Sequence, residues 1–171
     1  MLRILASLLV FASWPIAAQA AGPKPVTATV LHPESEWGAG DIEITFDNGK
    51  KKTLTHGGRC ARPKISAHGD IGWSVWLDAN DDPKYQHSGE LLRVRLHDGT
   101  TVDFHPNSLY IKDWNFAAND SAVIIDSMGH HGHQFYIEYD IKTGQILDHV
   151  DEYKPYAELP SWAQPIATNQ P

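Results

Sequence analysis

The chain of 171 residues has one cysteine, two methionines and only one long apolar run, at its start. A lone Cys60 closes no disulfide within the chain, which excludes a disulfide-framed fold. Arg59 and Arg62 flank it, but the plain reading is a small buried hydrophobe beside a turn. Blocks of Lys and Arg are also missing. The nearest, Lys50-Lys51-Lys52, reads as a solvated turn, and 21 acids outnumber 14 bases. Such a balance argues against nucleic acid and against anionic lipid surfaces as partners. No G-x-S-x-G elbow, H-E-x-x-H, P-loop or G-x-G-x-x-G occurs. Without any of these the reading leans away from an enzyme and names no catalytic residue. Helical periodicity is missing as well. The one helix candidate is a turn or two near Tyr156 to Ala163, fenced by Pro155, Pro160 and Pro165.

The early apolar run reads as a secretory signal peptide over residues 1–20. Arg3 supplies the basic start, Ile4 to Ala12 the apolar stretch, and Ala18-Gln19-Ala20 the small-x-small pattern of a cleavage site. The run is too short to span a bilayer, which takes about 20 residues. Cleavage after Ala20 removes one base and no acid, which leaves a net charge of −8 instead of −7. The expected location is secreted or periplasmic, with no membrane anchor after cleavage. Residues 21–26, rich in Gly and Pro, read as a flexible leader, and 153–171 as a Pro-rich tail.

Between them, over 27–152, the hydrophobic period is two. Ile42, Ile44 and Phe46 alternate with Glu43 and Thr45. The same holds for Ile71, Trp73, Val75 and Leu77, for Leu92, Val94 and Leu96, and for Phe135, Ile137 and Tyr139. Each set predicts a half-buried strand. In the third, Arg93 and Arg95 should be the more exposed residues. Ala122 to Ile125 is continuously apolar and predicts a strand buried on both faces. Asp47-Asn48-Gly49, His97-Asp98-Gly99 and Lys142-Thr143-Gly144 supply hairpin turns. The predicted class is all-β, built of antiparallel four-stranded meanders, with a β-sandwich or a barrel as the alternative.

The pattern repeats. The hairpin glycines are spaced by 50 and 45 residues, and Lys64–Trp73 matches Asn115–Ile124 in type at an offset of 51. "KISAHGDIGWSVW" with "LLRVRLHDGTTVDF", and "NFAANDSAVIIDSM" with "QFYIEYDIKTGQILDHV", resemble the WD40-like blades of the Tol-Pal β-propeller. That family's Ser-Pro-Asp-Gly turn departs here to Ala67-His68-Gly69 and Ala118-Asn119-Asp120. The resemblance implies blade-like units at about 27–58, 59–104 and 109–151. It implies no catalytic residues, because such blades host many functions. Propellers close with four to eight blades, and three units imply an open array or assembly between copies as a homo-oligomer.

Histidine is the compositional oddity, with 10 in the chain and three in Met128-Gly129-His130-His131-Gly132-His133. His131 and His133, joined by His130, are the candidate ligands for Zn or Cu, with Asp126, His105 or His87 completing a set. The bland alternative is a polar inter-strand loop, in which case no cofactor is needed. Asp78, Asp81 and Asp82 read as a solvated acidic loop, since EF-hand spacing is missing. The many Trp and Tyr residues suit either a small β core or a glycan-binding face, and the core is favoured. Trp76, out of phase with its strand, should point outward. The overall expectation is a non-catalytic binding or accessory module for a protein, peptide or glycan ligand, with a metal-binding protein as the alternative.

Overall fold

The computed structural model describes residues 22–33, 38–78, 89–106, 110–129, 132–151 and 154–167. They form eleven strands in three antiparallel sheets. The first sheet holds β1 (Pro25–Leu31), β2 (Asp41–Phe46) and β3 (Lys51–Thr53). The second holds β4 (Cys60–Ile65), β5 (Ile71–Leu77), β6 (Gly89–Arg95) and β7 (Thr101–Phe104). The third holds β8 (Tyr110–Phe116), β9 (Ala122–Met128), β10 (Gln134–Asp140) and β11 (Ile146–Val150). In every sheet, strands consecutive in sequence are neighbours in space, so each is a meander. The all-β class is therefore found, and the barrel alternative is corrected. Among the described residues no sheet closes on itself: the strands pair in order within each unit, and a single bridge from Gly40 to Cys60 joins the edge of β4 to the first unit.

The turns repeat in hydrogen-bond detail. Gly49 donates its N–H to the Phe46 carbonyl, and Gly99 to that of Leu96, both at 2.9 Å. In each the turn's side chain, Asn48 or Asp98, accepts from the N–H two residues on. Both glycines have positive φ, 77° and 91°, which a residue with a Cβ adopts only with strain. The second pair of turns lies 51 residues apart. Gly69 donates to Ser66 and Asp120 to Ala117, again with positive φ at 92° and 54°. By this matching, β1–β3 correspond to the last three strands of the second sheet.

The sheets pack in chain order, with the second in the middle. Its strand β5 is consequently buried on both faces, where the sequence predicted one. Ile71 and Trp73 face the first sheet and join Ile42, Ile44 and Cys60 in one cluster. Gly72 and Ser74 face the third. The Trp114 ring lies directly on Gly72, where a Cβ would overlap it. Strand β6 behaves as predicted: Leu92 and Val94 are fully buried and Leu96 nearly so, while Arg93 is half-buried and Arg95 exposed.

Strands β4 and β8 each carry a bulge, between Ala61 and Lys64 and between Ile111 and Asp113. Bulges re-aim the chain, and here they knit the second and third sheets. With Arg62 at φ 51°, its carbonyl accepts from Trp114 Nε1 at 2.8 Å. The Arg62 guanidinium meets Glu90 at 3.0 Å, and Glu90 Oε2 accepts from the Ile111 N–H at 2.6 Å. Lys64 reaches Asp113 at 2.9 Å and the Trp114 carbonyl.

The outer faces of the two end sheets differ. On the first, alternation turns Thr27, Thr29, Thr45 and Thr53 outward, with Lys51 bonded to Glu43 at 2.8 Å. The third is covered by its own chain. Leu159, Ala163, Ile166 and Ala167 join the buried cluster of β8–β11, and Trp162 Nε1 donates to Asp148 at 2.9 Å. This tail opens with a 3-10 turn at Tyr156–Glu158, inside the predicted helix candidate.

Candidate functional site

The first and second sheets part at their hairpin end and leave a cavity of about 630 Å³. Ile44, Phe46 and Leu54 line it from the first sheet, and Ile71 and Leu96 from the second. Ile44 and Ile71 point inward because each sits on the apolar phase of its strand, whereas Leu96, whose side chain packs toward the third sheet, borders the cavity from the hairpin end. They give the cavity an apolar floor. The leader closes one side: Gly22 to Pro25 runs along the cavity, and β1 already begins at Pro25. Lys24 fixes this course, donating its Nζ to the Ala67 carbonyl at 2.7 Å while its own carbonyl accepts from the Asp47 N–H at 2.8 Å.

The rim is cationic. Lys24, Lys52, Arg95, His68 and His97 line the cavity, and no Asp, Glu, Ser, Thr or Cys does among the described residues. Arg93, one position from Arg95, is instead committed to Asp103 through two bonds of 2.7 Å. Lys52 and Arg95 have no ion-pair partner among the described residues, and both are exposed.

Both rim histidines are held by a buried carboxylate. Asp70 Oδ1 lies 3.0 Å from His97 Nδ1 and also accepts the His97 N–H at 2.8 Å. The other oxygen, Oδ2, takes the Ser66 hydroxyl at 3.1 Å. Asp120, from the matching turn of the third sheet, contacts His68 Nδ1 at 3.0 Å and the His68 N–H at 3.1 Å. Each ring is thus met at Nδ1 by a carboxylate oxygen, an arrangement that a hydrogen on Nδ1 would satisfy and that sets the ring's orientation.

The residues singled out from sequence fall elsewhere. His130, His131 and His87 lie outside the described residues. His133 is exposed, and its carbonyl accepts from the Gly129 N–H at 2.8 Å to close the β9–β10 loop. Asp126 lies buried in β9, where its Oδ1 accepts from Gln134 Nε2 at 2.8 Å. Burial pushes its pKa up to about 6, against the opposing pull of that bond. His105 is half-buried, with its carbonyl taken by the Tyr139 hydroxyl. No three metal-ligating side chains come together among the described residues. Asp81 and Asp82 also lie outside them.

Trp73, Trp114 and Tyr136 are buried core, whereas Trp76 is 41% exposed. Cys60 is buried, and burial raises its thiol pKa even though the Thr55 hydroxyl and nearby arginines oppose this. In the sequence His68 and His97 read only as turn residues. The repeat offset was the available signal, since it places matching turns at one end of the stack. No protein-family model, curated protein or solved structure matches the chain.

Proposed function

We propose that this protein is a secreted or periplasmic, non-catalytic binding module whose ligand occupies the cleft between its first two sheets. One observation carries the reading: an apolar-floored cavity of about 630 Å³, ringed by basic side chains, on a chain of net charge −7. Small-molecule sites typically measure about 300–1,000 Å³ and combine an apolar lining with a few placed polar groups. Among the described residues the lining carries no hydroxyl, thiol or carboxylate, and its polar groups are the basic side chains and the imidazoles of His68 and His97. The turns that recur at 50 and 51 residues support reading the sheets as propeller-blade-like units, a scaffold that presents sites at the ends of its strands.

Two-dimensional NMR with a mixed panel of neutral, cationic and anionic fragments tests the reading. Shifts concentrated on Ile44, Phe46, Leu54, Gly69 and Leu96 are expected. Shifts concentrated elsewhere, or none with any fragment, overturn it.

A further inference from the structure

We infer that the cleft selects an amphipathic anion, a flexible apolar body carrying one carboxylate or phosphate head. The inference rests on the cleft being the ligand site and goes on to name what it takes. Three observations converge on this chemistry. The floor formed by Ile44, Phe46, Leu54 and Ile71 is purely hydrocarbon and offers no hydrogen bond to a polar body. A sugar or an extended peptide would leave its hydroxyls or amides unpaired there, at a cost each time.

The second observation is the charge of the rim. Against the Asp70 and Asp120 carboxylates behind His97 and His68 stand Lys24, Lys52 and Arg95, none of them ion-paired among the described residues, so the rim is net positive even with both imidazoles neutral. The group that Lys24 meets is a neutral carbonyl, not a carboxylate. The acids of the adjoining hairpin tips, Asp47 and Asp98, lie outside the lining. A local positive field on an acidic protein attracts anions to this one place and repels them elsewhere.

The third is the arrangement of the two. Lys52 and Arg95 come from different sheets, so they flank the mouth over a shared apolar floor. An anionic head can stay partly hydrated between them while its chain enters. That keeps the head's desolvation small, which a deeply buried charge would not.

Titration calorimetry and NMR with decanoate, decyl phosphate, decyltrimethylammonium and decanol, each below its micelle concentration, test this. Decanoate, decyl phosphate or both should bind one to one and shift the cleft resonances, with decyltrimethylammonium at least tenfold weaker. The head that binds tighter then distinguishes carboxylate from phosphate. Shortening decanoate to octanoate should weaken binding roughly tenfold, as expected for two buried methylenes. Lys52→Glu and Arg95→Glu alter exposed residues, so the fold persists. Each should weaken the anion at least about tenfold and leave decanol unchanged. If the cation or decanol binds the cleft as tightly as the anions, the anion inference fails while the cleft stands as a ligand site. If no probe shifts the cleft, both fail.

Discussion

The two junctions between sheets are built from the same repeat and end differently. Between the second and third sheets, Trp114 fills the gap, its indole N–H satisfied by Arg62 and its ring seated on Gly72. Glu90 and Lys64 tie the same strands together, and Phe104 meets Tyr139 edge-on at 5.4 Å. Between the first and second sheets the corresponding filler is Trp73. Among the described residues its indole N–H is buried with no partner, and only four other buried residues share its cluster. The end that lacks a filler is the cleft. The contrast teaches that a repeat scaffold gains a site by leaving one junction underfilled, while the neighbouring junction carries the stability.

The largest way to break this contrast is to spoil the closed junction. Gly72→Val puts a branched side chain where the fully buried Trp114 ring lies, so the ring or β5 must shift. A loss of about 3 kcal/mol or more is expected in urea unfolding, at the upper end of overpacking costs. Ile71→Val, on the opposite face of the same strand and beside the cleft, should cost about 1 kcal/mol.

The third sheet carries a cost of its own in Asp126. Its folded pKa of about 6 lies above the usual aspartate value of 3.8 because burial disfavours the charged form. Between those two values the native state binds more protons than the unfolded chain, so this group's contribution falls as pH rises from about 4 to about 6. Above that range the penalty is constant, on the order of 2 kcal/mol. Asp126→Asn keeps an oxygen for Gln134 and should flatten this slope. The variant should be the more stable protein at pH 7 and lose its advantage near pH 4, as measured by thermal unfolding across the range.

A finer comparison uses the two tryptophans. Both Trp→Phe changes lose similar volume, but Trp114→Phe also orphans the Arg62 carbonyl, whereas Trp73→Phe removes a donor that had no partner. Trp114→Phe should cost about 1 kcal/mol more, read from denaturant midpoints at constant slope. Smallest of all is Lys52→Glu. Its stability should stay within about 0.5 kcal/mol of the parent, because the side chain is exposed and touches no partner charge.

Much of this architecture was legible. Alternation marked β2, β5, β6 and β10, the continuous run marked β9, and the glycine turns fixed where strands reverse. Strands β4 and β8 were harder. Pro63 and the bulges beside Arg62 and Lys112 break the alternation that would have revealed them. Double burial of β5 was hidden because Gly72 and Ser74 read as a polar face; Gly72 is small because a ring occupies its place. The cleft was out of reach. Its orientation of His68 depends on Asp120, 52 residues away, and no local pattern links the two. The histidine-rich loop drew attention by composition, yet its described member His133 is simply exposed.

Native-state amide hydrogen exchange tests the inequality of the two junctions most directly. The amides of Ile42 and Ile44 in β2 should exchange through a partial opening, at a free energy clearly below that of Ile124 and Ile125 in β9, which should report global unfolding. Equal opening free energies for the two strands, or a lower value for β9, would contradict the account.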